Sequence, residues 1–302
     1  MKENKILATV FENLLSYKAK KAVEKTILLV SIFSFLLHLF LIYLVQHNFI
    51  FVGTDIELFK SPIAAIYTPF SFILIYEVYL LVYYIPKSVT TYVSKQYEII
   101  TLIVIRRLFK DMADLKLTQD WLNIESDRQF TYDIVLSVLV FYIIYLFKNN
   151  VYKQPQVAGE LASNAPNYDS FIQLKKIISV LLMPVLAIIA SYSLLNWSGI
   201  FSENNAAHLD FKNINNIFFE DFFTILIIVD VFLLLISFFY SDSFHKVIRN
   251  SGFILSTILI RLSFSTEGLV NNILILSSIL FGLLMLVIHN QFEKKGFYEQ
   301  KA

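Results

Sequence analysis

The sequence predicts an all-helical integral membrane protein of about eight transmembrane helices, arranged as two similar four-helix halves. Three observations carry this. Of 302 residues, 57% are hydrophobic and only 16% charged, where soluble domains carry about a quarter charged. Six apolar stretches, roughly 26–52, 62–86, 132–148, 174–198, 217–240 and 269–290, are long enough to cross a bilayer, which takes about 20 residues. An acid followed by two spaced basic residues recurs in both halves of the chain.

The first 25 residues hold six lysines, and Ile6, Leu7, Val10, Phe11, Leu14 and Leu15 recur at helical spacing. This pattern predicts an amphipathic helix on the cytoplasmic membrane face. The apolar run that follows is too long for the core of a cleavable signal, so residues 26–148 read as the first four-helix half. Residues 149–172 are polar and contain Pro155, Gly159 and Pro166, which marks a cytoplasmic linker. Residues 173–292 form the second half, and 293–302 a cytoplasmic tail.

Two shorter segments, about 96–110 and 250–265, are apolar but carry Arg106, Arg107 and Arg261. They are either short spans or interfacial pieces, and charge placement decides between these. With eight spans and both termini inside, 17 of the 25 Lys and Arg residues face the cytoplasm and five lie outside; with six spans, eight lie outside. Positive residues accumulate on the cytoplasmic side, so eight spans are preferred.

The halves correspond in order. "FILIYEVYLLVYYIPKS" is answered by "TILIIVDVFLLLISFFYSDS", and "KQYEIITLIVIRRLF" by "RNSGFILSTILIRLSF". Glu77 and Asp230 sit within apolar runs, Lys95 and Arg249 open the next segment, and Arg107 and Arg261 follow twelve residues later. Twelve helical residues climb about 18 Å, which brings each acid and its following arginine to similar depth. A lone charge at that depth costs a few kcal/mol or more, so such charges pair or line water. The expected pairs are Glu77 with Arg107 (or its neighbour Arg106), and Asp230 with Arg261. An even number of spans per half makes the repeat parallel.

Residues 218–290 resemble the phosphate-starvation-inducible E (PsiE) family of bacterial inner-membrane proteins. The likeness rests on Asp230 in "IIVDVFLLLISFFY", on Arg249, and on Thr257 four residues before Arg261 in "STILIR". A fainter echo covers 65–148, where Ile103 replaces the threonine and the arginine is doubled as Arg106–Arg107. The resemblance implies a four-span membrane topology and a place in the bacterial cytoplasmic membrane; it implies no activity.

A polar path for an ion or proton is the sharper functional expectation. Its candidates are Glu77 and Asp230 with His38, Tyr76, Tyr79, Glu98, Thr101 and Thr257. Against it stands a bundle in which the charges only set helix register and the tyrosines belt the interface. Adjacent Arg106 and Arg107 lack the every-third-residue spacing of a voltage sensor.

Other classes are disfavoured. The chain has no cysteine, hence no thiolate ligand or nucleophile. Its histidines show no HxxxH or HxxE spacing, so neither a metal nor another cofactor is expected. Seven glycines and no phosphate-binding or nucleophile-elbow motif argue against an enzyme, and a net charge of +1 argues against a nucleic-acid partner. The expected partners are the lipid bilayer and an ion or proton; a homo-oligomer is compatible with the sequence.

Overall fold

The computed structural model describes residues 5–49, 62–112, 115, 121, 123–152, 168–202, 211–239, 244–266 and 268–299. Every regular element among them is helical. Five stretches among the described residues are long and apolar enough to cross a membrane: Leu7–Gln46, Glu125–Tyr152, Ser170–Ile189, Phe222–Phe239 and Gly268–Lys294.

The lysine-rich N-terminus is broken in two. Helix α1 spans Lys5–Leu15, and α2 spans Tyr17–Gln46. Ser16 between them is extended, and its hydroxyl accepts from the Ala19 amide at 3.1 Å. That bond satisfies one of the free N–H groups of the α2 N-terminus. α1 turns back onto the bundle: Leu15 is buried, and the carbonyl of Leu14 accepts from the Tyr79 hydroxyl at 2.9 Å. A single helix through residue 25 is therefore corrected to a helix, a serine cap and the first turns of α2.

The expected span 62–86 is also divided. Pro62–Ile66 forms a 3₁₀ turn, and α3 covers only Tyr67–Tyr84. Its apolar part, Thr68–Tyr84, falls short of a crossing length. Pro62 and Pro69 offer no amide to a continuing ladder, which suits a helix start.

Helix α4, Val89–Asp111, carries Arg106 and Arg107, and α5 covers Glu125–Tyr152. Helix α6, Tyr168–Ser202, includes Pro184. The linker expected at 149–172 lies mainly outside the described residues, and the helices on either side intrude into it. Helix α7 spans Phe211–Phe239, α8 spans Phe244–Ser263 and α9 spans Gly268–Glu299. α9 runs through most of the expected tail.

The packing places polar helices inside and leaves an apolar one outside. α2 holds the most lipid-like surface, with only 17% of its apolar window buried, against 44% for α9. α4 and α8, the helices with most polar residues, lie inside. Gln96 and Thr101 on α4 are buried, as are Asn250, Ser256, Thr257 and Arg261 on α8. Lipid solvates apolar side chains as well as a protein core does, so packing is left to seat the polar residues. α8 and α9 pack most extensively on each other, α9 next on α5, and α4 lies against both α5 and α8.

Small residues draw α4, α8 and α9 together. A Cβ at Gly282 would overlap the Tyr97 hydroxyl. That hydroxyl is hydrogen-bonded to Ser256 Oγ at 2.7 Å, and Ser256 Oγ donates to the Ser278 carbonyl at 2.6 Å. Tyr97 is itself fully buried.

Candidate functional site

Among the described residues, the charges buried between helices gather into three centres. The most enclosed is built on α7 and α8. Arg261 Nη2 lies 2.7 Å from Asp230 Oδ2, with both side chains almost wholly buried. Helical side chains lean toward their own N-terminus, so Arg261, in the last turn of α8, reaches back along the bundle to the middle of α7. α4 supplies the remaining partners. The Tyr92 hydroxyl donates to Asp230 Oδ1 at 2.8 Å, and Arg261 Nη2 donates to Gln96 Oε1 at 3.3 Å. Arg261 Nη1 and Gln96 Nε2 are buried without a hydrogen-bond partner.

A cavity of about 20 Å³, the volume open to water centres, adjoins this centre. That is room for about one water. Its polar lining comes from Tyr92, Lys175, Asp230, Ser237 and Asn250. Lys175 is buried; its ammonium donates to the Lys87 carbonyl at 2.9 Å and lies over the Phe171 ring, 4.8 Å from its centroid.

The second centre is built around Arg107. Sequence depth paired Glu77 with this arginine or with Arg106; the structure gives Glu77 to Arg106 and Arg107 to another acid. Arg107 Nε lies 2.7 Å from Asp133 Oδ2 on α5. Its terminal nitrogens donate to Asn271 Oδ1 at 2.9 Å and Asn272 Oδ1 at 2.6 Å. Gln129 Nε2 donates to Asp133 Oδ1 at 2.9 Å, and Asn272 Nδ2 donates to the same oxygen. Adjacent helical residues project about 100° apart. Arg106 therefore faces α3 while Arg107 faces α5 and α9.

The third centre is Glu77 with Arg106, 3.2 Å apart. Glu77 is buried, while Arg106 is partly open.

The other expected path residues do not join these centres. The Tyr76 hydroxyl donates to Glu24 Oε2 at 3.2 Å, and Tyr79 binds α1 as described; both are drawn to the N-terminal helices, away from Glu77. Glu98 pairs with Lys95 at 2.8 Å and Lys148 at 2.6 Å. Thr101 donates to the Tyr97 carbonyl and Thr257 to the Ile254 carbonyl. Both hydroxyls serve their own helix, a common use of threonine in apolar helices. His38 is bonded through Nδ1 to Thr68 Oγ1, a packing role between α2 and α3.

Tyr92, Gln96, Asp133, Lys175, Asn271 and Asn272 were not singled out in the sequence. All but Lys175 bond a charged group contributed by another segment of the chain. Comparison with protein families, curated proteins and solved structures finds no match for this chain.

Proposed function

We propose that the chain is a multi-pass cytoplasmic-membrane protein of eight helical spans in two similar halves, with both termini inside, that senses or passes a proton or small ion through the Asp230–Arg261 centre. One observation carries this reading. A buried acid–base pair on α7 and α8, bonded from α4 by Tyr92, borders a small, mainly apolar cavity with room for about one water, which Lys175 also lines. Intramembrane charges bordering a wettable cavity are where proton relays and ion sites are built. Catalysis is no part of this reading.

Purified protein in proteoliposomes tests it. A pH or potential gradient drives flux in the native chain, and Asp230→Asn abolishes that flux while the protein stays monodisperse. Absence of flux in the native protein under both gradients overturns transport.

A second reading is favoured by a specific observation. Glu98, Thr101 and Thr257 are engaged with nearby lysines or with their own helix. On that reading the chain is a non-transporting component of PsiE-like type, with charged pairs that fix helix register. Its mark is a dry native bundle and variants at Asp230 that fail by misfolding.

A further inference from the structure

The cytoplasm-proximal ends of α8 and α9, in the proposed topology, carry a group that the charged centres do not use. His289 and Glu293 are four residues apart on α9, and so share a face of that helix. His289 Nε2 lies 3.2 Å from Glu293 Oε1. His245, the second residue of α8, brings a second imidazole. The two rings are stacked with centroids 5.2 Å apart. One donor atom from each of the three residues lies within 4.8 Å of the others. His289 is buried and its Nδ1 has no hydrogen-bond partner, while His245 and Glu293 are partly open.

We infer that His245, His289 and Glu293 form a binding site for a divalent transition-metal ion of the zinc class. Zinc takes imidazole nitrogen at about 2.0–2.1 Å and carboxylate oxygen at about 2.0–2.2 Å. Two imidazoles at tetrahedral angles around one ion place their ring centres about 5 Å apart, close to the separation found here. Three protein ligands leave one position for water. The two imidazoles select against magnesium and calcium, which take oxygen ligands. The i, i+4 histidine–glutamate pair lies on one continuous helix, so two of the three ligands are fixed in register before an ion arrives.

Arg249 opposes the ion. Its Nη1 lies 2.7 Å from His289 Nε2, and the guanidinium also donates to Asn250 Oδ1. An ion at Nε2 must displace that contact and overcome the positive charge of Arg249 and the nearby Lys246. The site therefore has a resident competitor, and its affinity is set by how readily Arg249 withdraws toward Asn250.

The test uses the full chain, tag-free, in detergent. Titration with Co²⁺ yields one saturable site per chain with visible absorption, and Zn²⁺ displaces it. His245→Ala and Glu293→Gln, at partly open positions, each weaken binding at least about tenfold to a hundredfold, the cost of losing a mere outer-shell partner. Arg249→Gln strengthens it about tenfold. The inference fails if no saturable site appears, or if His245→Ala and Glu293→Gln leave the titration unchanged. Weaker binding in Arg249→Gln overturns the competitor role.

Discussion

Arg107 and Arg261 hold corresponding places in the sequence, twelve residues after a basic residue, yet the bundle seats them differently; Lys95 and Arg249, expected to open their helices, lie about a third of the way along α4 and α8. Arg261 is almost sealed and takes one carboxylate from the preceding helix. Arg107 keeps about a quarter of its side chain exposed and spreads its donors over Asp133, Asn271 and Asn272. The difference teaches that depth in an apolar run does not choose a partner. The neighbouring residue does: Arg106 already occupies Glu77, and its 100° rotation leaves Arg107 facing other helices. Asp230 meets no such competition, because α8 has a single arginine in its last turn.

The contrast makes Asp230→Ala the most damaging change. It strands a buried guanidinium, and breaking a buried pair from one side costs about 3–5 kcal/mol. Chemical unfolding in mixed micelles reads this loss, and a cost below about 1 kcal/mol breaks the comparison. Asp133→Ala comes next, at about 2 kcal/mol. Arg107 retains two amide acceptors and a partial opening, so it is never left bare. If thermal unfolding ranks Asp133→Ala at or above Asp230→Ala, shared acceptors do not buffer the arginine.

Tyr92→Phe sharpens the role of α4 in the Arg261 centre. It removes one hydrogen bond to a charged oxygen at a cost of about 1.5 kcal/mol. A double-mutant cycle with Asp230→Asn isolates the coupling, and additive losses show that the hydroxyl and carboxylate act separately. Glu98→Gln is expected to have the least effect. Its lysine partners are about a third exposed or more, and pairs of that kind contribute less than about 1 kcal/mol. A loss as large as that of Tyr92→Phe places Glu98 in the same enclosed class as Asp230.

What the sequence made legible follows from contrast. Asp230, Glu77 and the three arginines stand out because each is a charge amid apolar neighbours, and their depths follow from helical rise alone. Asp133, Asn271 and Asn272 carry no such signal. Asn271 and Asn272 lie near the start of α9, and Asp133 at the edge of the apolar run of α5, where polar residues are ordinary. Tyr92 and Gln96 read as generic polar positions, because their partners lie more than a hundred residues away in the chain. The Ser16 break was visible only as a serine in a lysine-rich helix, and the 3₁₀ start at Pro62 only as a proline. His289 and Glu293 stand four residues apart in the sequence but match no metal-ligand motif, and His245 joins them only through the packing of α8 on α9.

The docking of α1 has a consequence for how the molecule is made. α1 packs on α6, which begins about 150 residues later in the chain. When α1 leaves the ribosome its seat does not exist. Until α6 is made, α1 has only α2 and, through the Tyr79 hydroxyl on the Leu14 carbonyl, α3 to rest on. Contact with α6 is then a late event in assembly, completing a seat that the nearer helices begin.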